Sequence, residues 1–174
     1  MARHESFGNS LGHGSARDLY FTFRSGGIEY ALDLDRLHEV RRFTTTTPAP
    51  GASPWWKGIM TIDDGTSFPV VDLLARLGLG QTEFTPYTVV AVLDLGENRF
   101  GLALDSLGEV VYLTDDAIQP VPTFGADPSR CFVAGLGRVG ERFVSVLDLD
   151  VVLQDESATA RRAIDDDSDL DAAF

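Results

Sequence analysis

The chain has 174 residues, 44% of them hydrophobic, which is enough for a packed core in one domain or two small ones. Its formal charge of −13 argues against a nucleic-acid partner or docking on an anionic membrane, because both need clustered Lys and Arg. The single cysteine, Cys131, excludes an intrachain disulfide and fits a reducing compartment. With no apolar run near the ~20 residues of a membrane helix and no signal-peptide pattern, a cytoplasmic location is predicted.

The first stretch, residues 1–17, is polar and rich in Gly, Ser and His, which predicts a disordered arm. We interpret His4 and His13 as exposed residues, since a metal site needs three or four fixed ligands. Apolar and polar residues then alternate from Leu19 to Phe23, which predicts a half-buried strand. Gly26-Gly27 turns the chain into a returning strand over Ile28–Leu34.

A single helical turn is predicted over residues 35–40, and the β-branched run Thr44–Thr47 favours a strand. Three prolines then impose an irregular connection that carries Trp55 and Trp56. Neighbours on extended backbone point in opposite directions, which allows one indole to be buried and the other to be exposed as a partner anchor. The alternative is that both indoles cap one end of a barrel.

A hairpin comes next. Gly58–Ile62 is predicted as one strand, and Asp63-Asp64-Gly65-Thr66 as a tight turn, because Asp-Gly supplies the positive φ angles that such turns require. Phe68–Leu73 is the return strand, and Leu73–Leu79 a short helix ended by glycine.

The second half repeats this pattern of short strands and tight turns, from about residue 86. Strands are predicted over 88–95, 99–104, 110–113, 131–139 and 143–149, with a loop at 120–127. The tail, residues 154–174, is acidic and is predicted to be mostly disordered.

Three phrases of the first half recur in the same order in the second half. The phrase Tyr30–Val40 returns 70 residues later, and two further pairs follow: Tyr30–Val40 with Phe100–Val110, Thr47–Pro50 with Gln119–Pro122, and Phe68–Leu73 with Val144–Leu149. Such order predicts a duplicated β-unit and a pseudo-twofold pair. Short strands at regular spacing predict an all-β fold of two small barrels with a groove between them.

No catalytic, cofactor or metal site is predicted. Gly135–Gly140 matches G-x-G-x-x-G, but a strand follows it where a dinucleotide site needs a helix. The turn at Asp63-Asp64 has the wrong order for an aspartic-protease loop. Asp33 and Asp35 are interpreted as a solvated face, and His38 as a surface residue without a nucleophile beside it. The sequence therefore predicts a protein that is not an enzyme.

An ordered set of short matches between Leu19 and Leu153 resembles the CheW-like coupling proteins of bacterial chemotaxis. The matching pieces are Phe21–Phe23, Glu29–Leu34, Leu37–Arg41, Pro48, Lys57–Ile59, Phe68–Leu73, Val89–Val92, Gly101–Asp105, Leu107–Val110, Ile118–Pro120 and Gly135–Gly137. The resemblance implies one domain over 18–153 with two SH3-like five-stranded barrels related by a pseudo-twofold. Their approximate bounds are 18–85 and 86–153, with possible strand exchange.

The resemblance also implies function. Such a chain is expected to be a non-catalytic adaptor that binds the regulatory domain of a CheA-type histidine kinase and the cytoplasmic tip of chemoreceptors. It would be recruited from the cytoplasm to membrane-associated receptor arrays. The alternatives are an adaptor of a separate chemosensory pathway, such as pilus motility, and a small β-barrel that binds a peptide or ligand outside signalling.

By this resemblance, a receptor groove lies near a set of positions in both halves: Leu37, Glu39, Gly58, Val89, Gly101 and Val110. The family usually reads Gly-x-x-Asn-Leu-Arg-Gly before the Pro-Val-Val-Asp-Leu strand, whereas this chain has Asp63 and Asp64 where the arginine is expected. Aspartate would repel an acidic receptor tip that arginine attracts. We therefore expect an altered receptor choice or weaker docking.

Overall fold

The computed structural model describes residues 18–121 and 132–154, which form an all-β fold with two short helices. The strands are β1 (Leu19–Ser25), β2 (Ile28–Asp33), β3 (Leu37–Arg42), β4 (Trp56–Thr61), β5 (Ser67–Asp72), β6 (Val89–Leu95), β7 (Asn98–Leu104), β8 (Ser106–Tyr112), β9 (Ile118–Pro120), β10 (Val133–Val139) and β11 (Arg142–Leu147); the helices are α1 (Leu73–Leu77) and α2 (Leu149–Val152). The predicted arm over 1–17, Cys131 and the predicted tail beyond residue 154 lie outside the described residues. The predicted fold class is confirmed.

The strands form two sheets with the same internal order. Sheet A runs β8-β1-β2-β11-β10-β9, and sheet B runs β3-β6-β7-β5-β4. The repeat maps each strand of sheet B onto a strand of sheet A, and the parallel pairs have the same register: Val146 faces Ala31 in sheet A, and Val70 faces Gly101 in sheet B. The internal duplication predicted from the recurring phrases is therefore visible in the pairing.

Each sheet contains strands from both halves of the chain. β3 follows β2 in sequence but pairs with β6 in sheet B, and β8 follows β7 but pairs with β1 in sheet A. A 3-10 turn over Leu34–Arg36 makes the first of these crossings. The residue bounds of the two subdomains, near 85 and 86, stay a prediction.

Three apolar clusters form the core. The largest lies between the sheets and joins Phe23, Tyr30 and Leu32 of sheet A to Leu93 and Leu102 of sheet B, among others. A second cluster packs on the other face of sheet B and a third on the other face of sheet A. Strands buried on both faces explain the near-continuous apolar runs in β6 and β7.

Three local predictions are wrong. Thr44–Thr47 is not a strand: among these residues only Thr47 forms a bridge, with Ile59, because the prolines that follow prevent a regular ladder. The helical turn predicted over 35–40 ends at Arg36, since β-pairing with β6 takes over from Leu37. The second-half strand predicted over 110–113 begins at Ser106.

The predicted helix and hairpin turns are present. α1 ends at Leu77, and Gly78 closes it in a left-handed conformation with φ of +73°. Gly26-Gly27 and Gly65 make the predicted turns with positive φ.

Candidate functional site

Three residues of the expected receptor groove lie in one row across sheet B. The row runs through hydrogen-bonded neighbours: Glu39 of β3, Val92 of β6, Gly101 of β7, Val70 of β5 and Gly58 of β4. Val89 lies three residues before Val92 on β6 and is half-buried. The row thus brings Glu39, Gly58 and Gly101 into register with one another.

The two glycines of this row are buried and serve close packing. A Cβ on Gly101 would lie 2.7 Å from Cγ1 of Val90, and a Cβ on Gly58 would lie 2.6 Å from the carbonyl oxygen of Thr47. Gly58 also has φ of +143°, which side chains rarely adopt. Both glycines can affect a partner only through the position of the strands around them.

Leu37 and Val110 lie on the equivalent strands β3 and β8 but in different surroundings. Leu37 is half-buried against the central cluster, next to Leu93. Val110 lies in sheet A, pairs with Phe21 and is 52% exposed. The structure therefore does not place Val110 in the same sheet as the other expected groove residues.

Val110 belongs to an exposed apolar strip on the edge strand β8. The strip consists of Leu107, Val110 and Tyr112, which are 49%, 52% and 55% exposed. All three pair with residues of β1, and among the residues that the structure describes β8 has no second neighbour in its sheet. Sequence reasoning selected Val110 alone, and Leu107 and Tyr112 were missed because exposure depends on which sheet the strand joins.

Charged side chains gather where β3, the β6–β7 hairpin and the β4–β5 turn approach one another. We call this the charged corner of sheet B, and it comprises Glu39, Arg41, Asp63, Asp64, Asp94 and Arg99. Nε of Arg41 donates to Oε1 of Glu39 at 2.7 Å, and Nε of Arg99 donates to Oδ1 of Asp94 at 2.8 Å. Each arginine of the corner therefore has a carboxylate partner on its own strand or hairpin.

The β4–β5 turn contributes its charge to the same corner. The hydrogen bond to Glu39 raises the pKa of Arg41, and the nearby carboxylates of Asp63 and Asp64 raise it further. Hydrogen bonds from the Thr66 side chain and amide lower the pKa of Asp64, with a further contribution from Arg99 and Arg41. Asp64 thus stabilises the turn, where its Oδ1 accepts a hydrogen bond from the Thr66 amide at 2.8 Å.

The equivalent corner of sheet A is built differently. Arg142 of β11 donates to Glu29 of β2 at 2.8 Å and also to Glu109 of β8. These bonds, first to Glu109 and then to Glu29, raise the pKa of Arg142. Glu109 is the repeat equivalent of Glu39. Both copies hold this glutamate with an arginine, which comes from β3 itself in sheet B and from β11 in sheet A.

The two tryptophans are both half-buried. Of the two alternatives drawn from the sequence, the one with a buried and an exposed indole is therefore wrong, and the one in which both cap one end of a barrel stays a prediction. Both pack against the central cluster. The guanidinium of Arg76 lies 4.4 Å from the Trp55 ring centroid and 4.8 Å from that of Phe132. Arg76 also donates to the carbonyls of Val152 and Val151, at 2.6 and 3.2 Å, and so ties α1 to α2.

Residues 18–121 and 132–154 carry neither a cluster of metal ligands nor a membrane-spanning helix. No group of three or more His, Cys, Asp and Glu side chains there is arranged to hold a metal ion. Within the same ranges, no helix is long and apolar enough to cross a membrane.

Comparison with known proteins decides the family. Residues 19–157 match the CheW-like domain. The chain belongs to the CheW-like family. Among CheW-like relatives, chemotaxis protein CheW of Rhizobium meliloti is 30% identical over 138 residues, which cover 79% of this chain and 88% of the relative. Chemotaxis protein CheW of Klebsiella aerogenes is 28% identical over 137 residues, 79% of this chain and 82% of that one.

A solved CheW-like structure has the same fold. The scaffolding protein TtCheW from Thermoanaerobacter tengcongensis superimposes with a TM-score of 0.70 at 23% identity, covering 82% of this chain and 91% of that protein. At this identity the likeness establishes the architecture of two sheets and not the partners of either surface.

Proposed function

We propose that this chain is a non-catalytic chemotaxis scaffold that couples chemoreceptors to a CheA-type histidine kinase through protein contacts. The observation that carries the proposal is the CheW-like match over residues 19–157, supported by the shared fold. A chemotaxis role is favoured over a ligand-binding barrel outside signalling, because the relatives that match along most of this chain are chemotaxis proteins. The scaffold would join membrane-associated arrays through its partners.

Calorimetric titration with the CheA regulatory domain of the same organism tests the kinase half of this proposal. Micromolar or tighter binding is expected. Absence of binding at high concentration, with circular dichroism showing a folded chain, would remove the chemotaxis assignment and leave the fold standing.

The receptor half of the proposal concerns the expected groove and the apolar strip on β8. Three half-exposed apolar side chains in a row on an edge strand form a surface that a partner would desolvate. Val110→Lys should weaken binding of a receptor-tip fragment by about tenfold or more, because a charge would be forced into an apolar contact. Leu79→Lys changes an equally exposed leucine on the loop after α1 and is the matched control.

The acidic β4–β5 turn should govern which receptor tips are accepted. Asp63→Arg is a cleaner test than Asp64→Arg, because Asp64 accepts the hydrogen bonds that form the turn. Affinity for receptor tips with an acidic docking segment should rise when Asp63 becomes arginine. An unchanged affinity would separate the turn from receptor choice.

The tryptophans remain proposed anchors with a restricted role. The stacking of Arg76 on Trp55 leaves less of that indole for a partner. Alanine at Trp56 should reduce kinase or receptor affinity without unfolding if Trp56 is an anchor, whereas loss of the folded state would assign it to the core.

A further inference from the structure

The Glu39–Arg41 pair lies over the edge of an apolar cluster. Both side chains are about one-third exposed, and both belong to β3 residues paired with Val92 and Val90, which are fully buried in the sheet-B cluster. Nε of Arg41 holds Oε1 of Glu39 at 2.7 Å. A pair in this position is partly withdrawn from water, so the arginine fixes where the carboxylate points.

The second copy shows what the fold itself requires at the Arg41 position. Its repeat equivalent, Val111, is buried in the sheet-A cluster and faces Tyr20. An apolar side chain therefore satisfies the packing there. The guanidinium of Arg41 is an addition that the architecture does not need.

Glu109, the equivalent of Glu39, is also held by an arginine, but Arg142 reaches it from β11 and Glu109 is 59% exposed. Sheet B has Thr66 and the acidic turn where sheet A has Arg142. In sheet A the cation that holds the glutamate is Arg142 of β11, whereas in sheet B it is Arg41 of β3 itself.

We propose that Arg41 is a positioning residue that orients Glu39 for contact with the receptor tip, so that the two side chains act as one recognition unit. This inference rests on the proposed function and adds to it a residue that the expected groove did not include. The partner chemistry that fits Glu39, with one oxygen held by Arg41, is a hydrogen-bond donor or cation on the receptor segment.

A double-mutant cycle on receptor-tip binding tests the proposal. The variants are Glu39→Gln, Arg41→Val and the double variant, titrated calorimetrically with a receptor-tip fragment of the same organism. Arg41→Val installs the residue that the second copy already carries, and urea unfolding should show that the fold is retained. Arg138→Val, an exposed arginine on the β10–β11 hairpin, is the matched control.

Each single variant should weaken binding about five- to tenfold, and the double variant should be no weaker than the worse single variant. Arg41→Lys should restore only part of the affinity, because lysine lacks the planar fork that holds a carboxylate. Arg138→Val should bind as the original chain does.

Three results would overturn the inference. Arg41→Val could bind like the original chain, the two single effects could multiply in the double variant, or Glu39→Gln could leave binding unchanged. In these cases the original chain still binds its partners and the proposed function survives. If the folded original chain binds neither the receptor tip nor the kinase domain, the proposed function fails, and this inference fails with it.

Discussion

The strands β3 and β8 carry the same sequence phrase and occupy equivalent edges, yet they present opposite surfaces. In β3, Leu37 and Val40 pack against the central cluster, whereas their equivalents in β8, Leu107 and Val110, are about half exposed. Both strands contain a bulge at the same point of the repeat, shown by the shifts in their pairing with β6 and β1. Duplication has kept the register of the backbone while the side-chain surroundings have diverged, and the proposed contact surfaces lie where they diverge.

The largest expected difference in stability between the two strands lies at the bulge. β3 has exposed His38 at the bulge, and β8 has Gly108, where a Cβ would lie 2.2 Å from Oγ1 and 2.6 Å from the carbonyl oxygen of Thr22. Gly108→Ala should lower the free energy of unfolding by about 3 kcal/mol, because Thr22 backbone cannot move away cheaply. Urea unfolding checks this, with His38→Ala as the control expected to change stability by less than about 0.5 kcal/mol. Similar effects of the two substitutions would contradict the asymmetry.

The second difference concerns alkaline stability. Tyr20 stands where the other copy has Val90, and burial, with added repulsion from Asp33, Asp115 and Asp18, raises its pKa from 10.0 to about 12. The folded state then holds a proton that the unfolded state loses, so this contribution is full below pH 10 and is lost as pH rises to 12. The loss should be about 2.5 kcal/mol. Chemical unfolding of Tyr20→Phe should show a flatter decline between pH 9 and 12.

Tyr87→Phe is the control for that experiment, because Tyr87 is 78% exposed. Its decline with pH should follow that of the original chain. An identical decline for Tyr20→Phe would mean that Tyr20 ionises as easily in the folded chain as in the unfolded one.

The helices α1 and α2 are also repeat equivalents with different roles. Arg76 of α1 occupies the position of Val152 in α2, and its guanidinium stacks on Trp55 and Phe132 while donating to the carbonyl of Val152 itself. Arg76→Ala should cost about 2 kcal/mol in urea unfolding, since both hydrogen bonds and both ring contacts are lost. Arg36→Ala removes only a loose pair at 3.8 Å with Asp150 and should change stability by less than about 0.5 kcal/mol. Equal decreases in the free energy of unfolding for the two variants would show that Arg76 does not join the helices.

The smallest expected effect on stability concerns the equivalent corner of sheet A. Arg142→Gln breaks exposed bonds to Glu29 and Glu109, and we expect only a small decrease in melting temperature that vanishes in 1 M salt. Thermal melts at low and high salt check this. A decrease that persists at high salt would show that Arg142 contributes by packing and not by charge.

Much of the fold was predictable because its determinants are local. Gly26-Gly27 and Asp64-Gly65 specify hairpins through backbone conformation, and the recurring phrases identify the duplication. Local sequence did not specify which sheet the third strand of each copy joins. β3 and β8 could have paired with the hairpin that precedes them or with the hairpin of the other copy, as they do. Only the long-range burial of Leu37 in the cluster between the sheets distinguishes these outcomes.

The candidate site was less predictable than the fold. Glu39, Gly58 and Gly101 came from resemblance, and the structure aligns them in one row. The Glu39–Arg41 pair was missed because residues 35–40 were predicted as a helical turn, whereas residues two apart on a strand share a face. Asp63 and Asp64 were selected because they stand where the resembled family has an arginine, and their proximity to Arg41 is a consequence of tertiary structure. The role of Arg76 was missed because its partners, Trp55 and Phe132, lie far apart in sequence.

The parallel pairing of β2 with β11 has a consequence for the order in which the chain folds. β2 ends at Asp33, whereas its partner begins at Arg142, so sheet A closes only after nearly all the intervening chain has emerged from a ribosome. Until then the β1–β2 hairpin carries an unpaired edge rich in buried aromatic and aliphatic side chains. A nascent chain halted before β11 should therefore be a target for chaperones and prone to aggregation. Pairing of β11 with β2 covers the exposed edge and ends this risk.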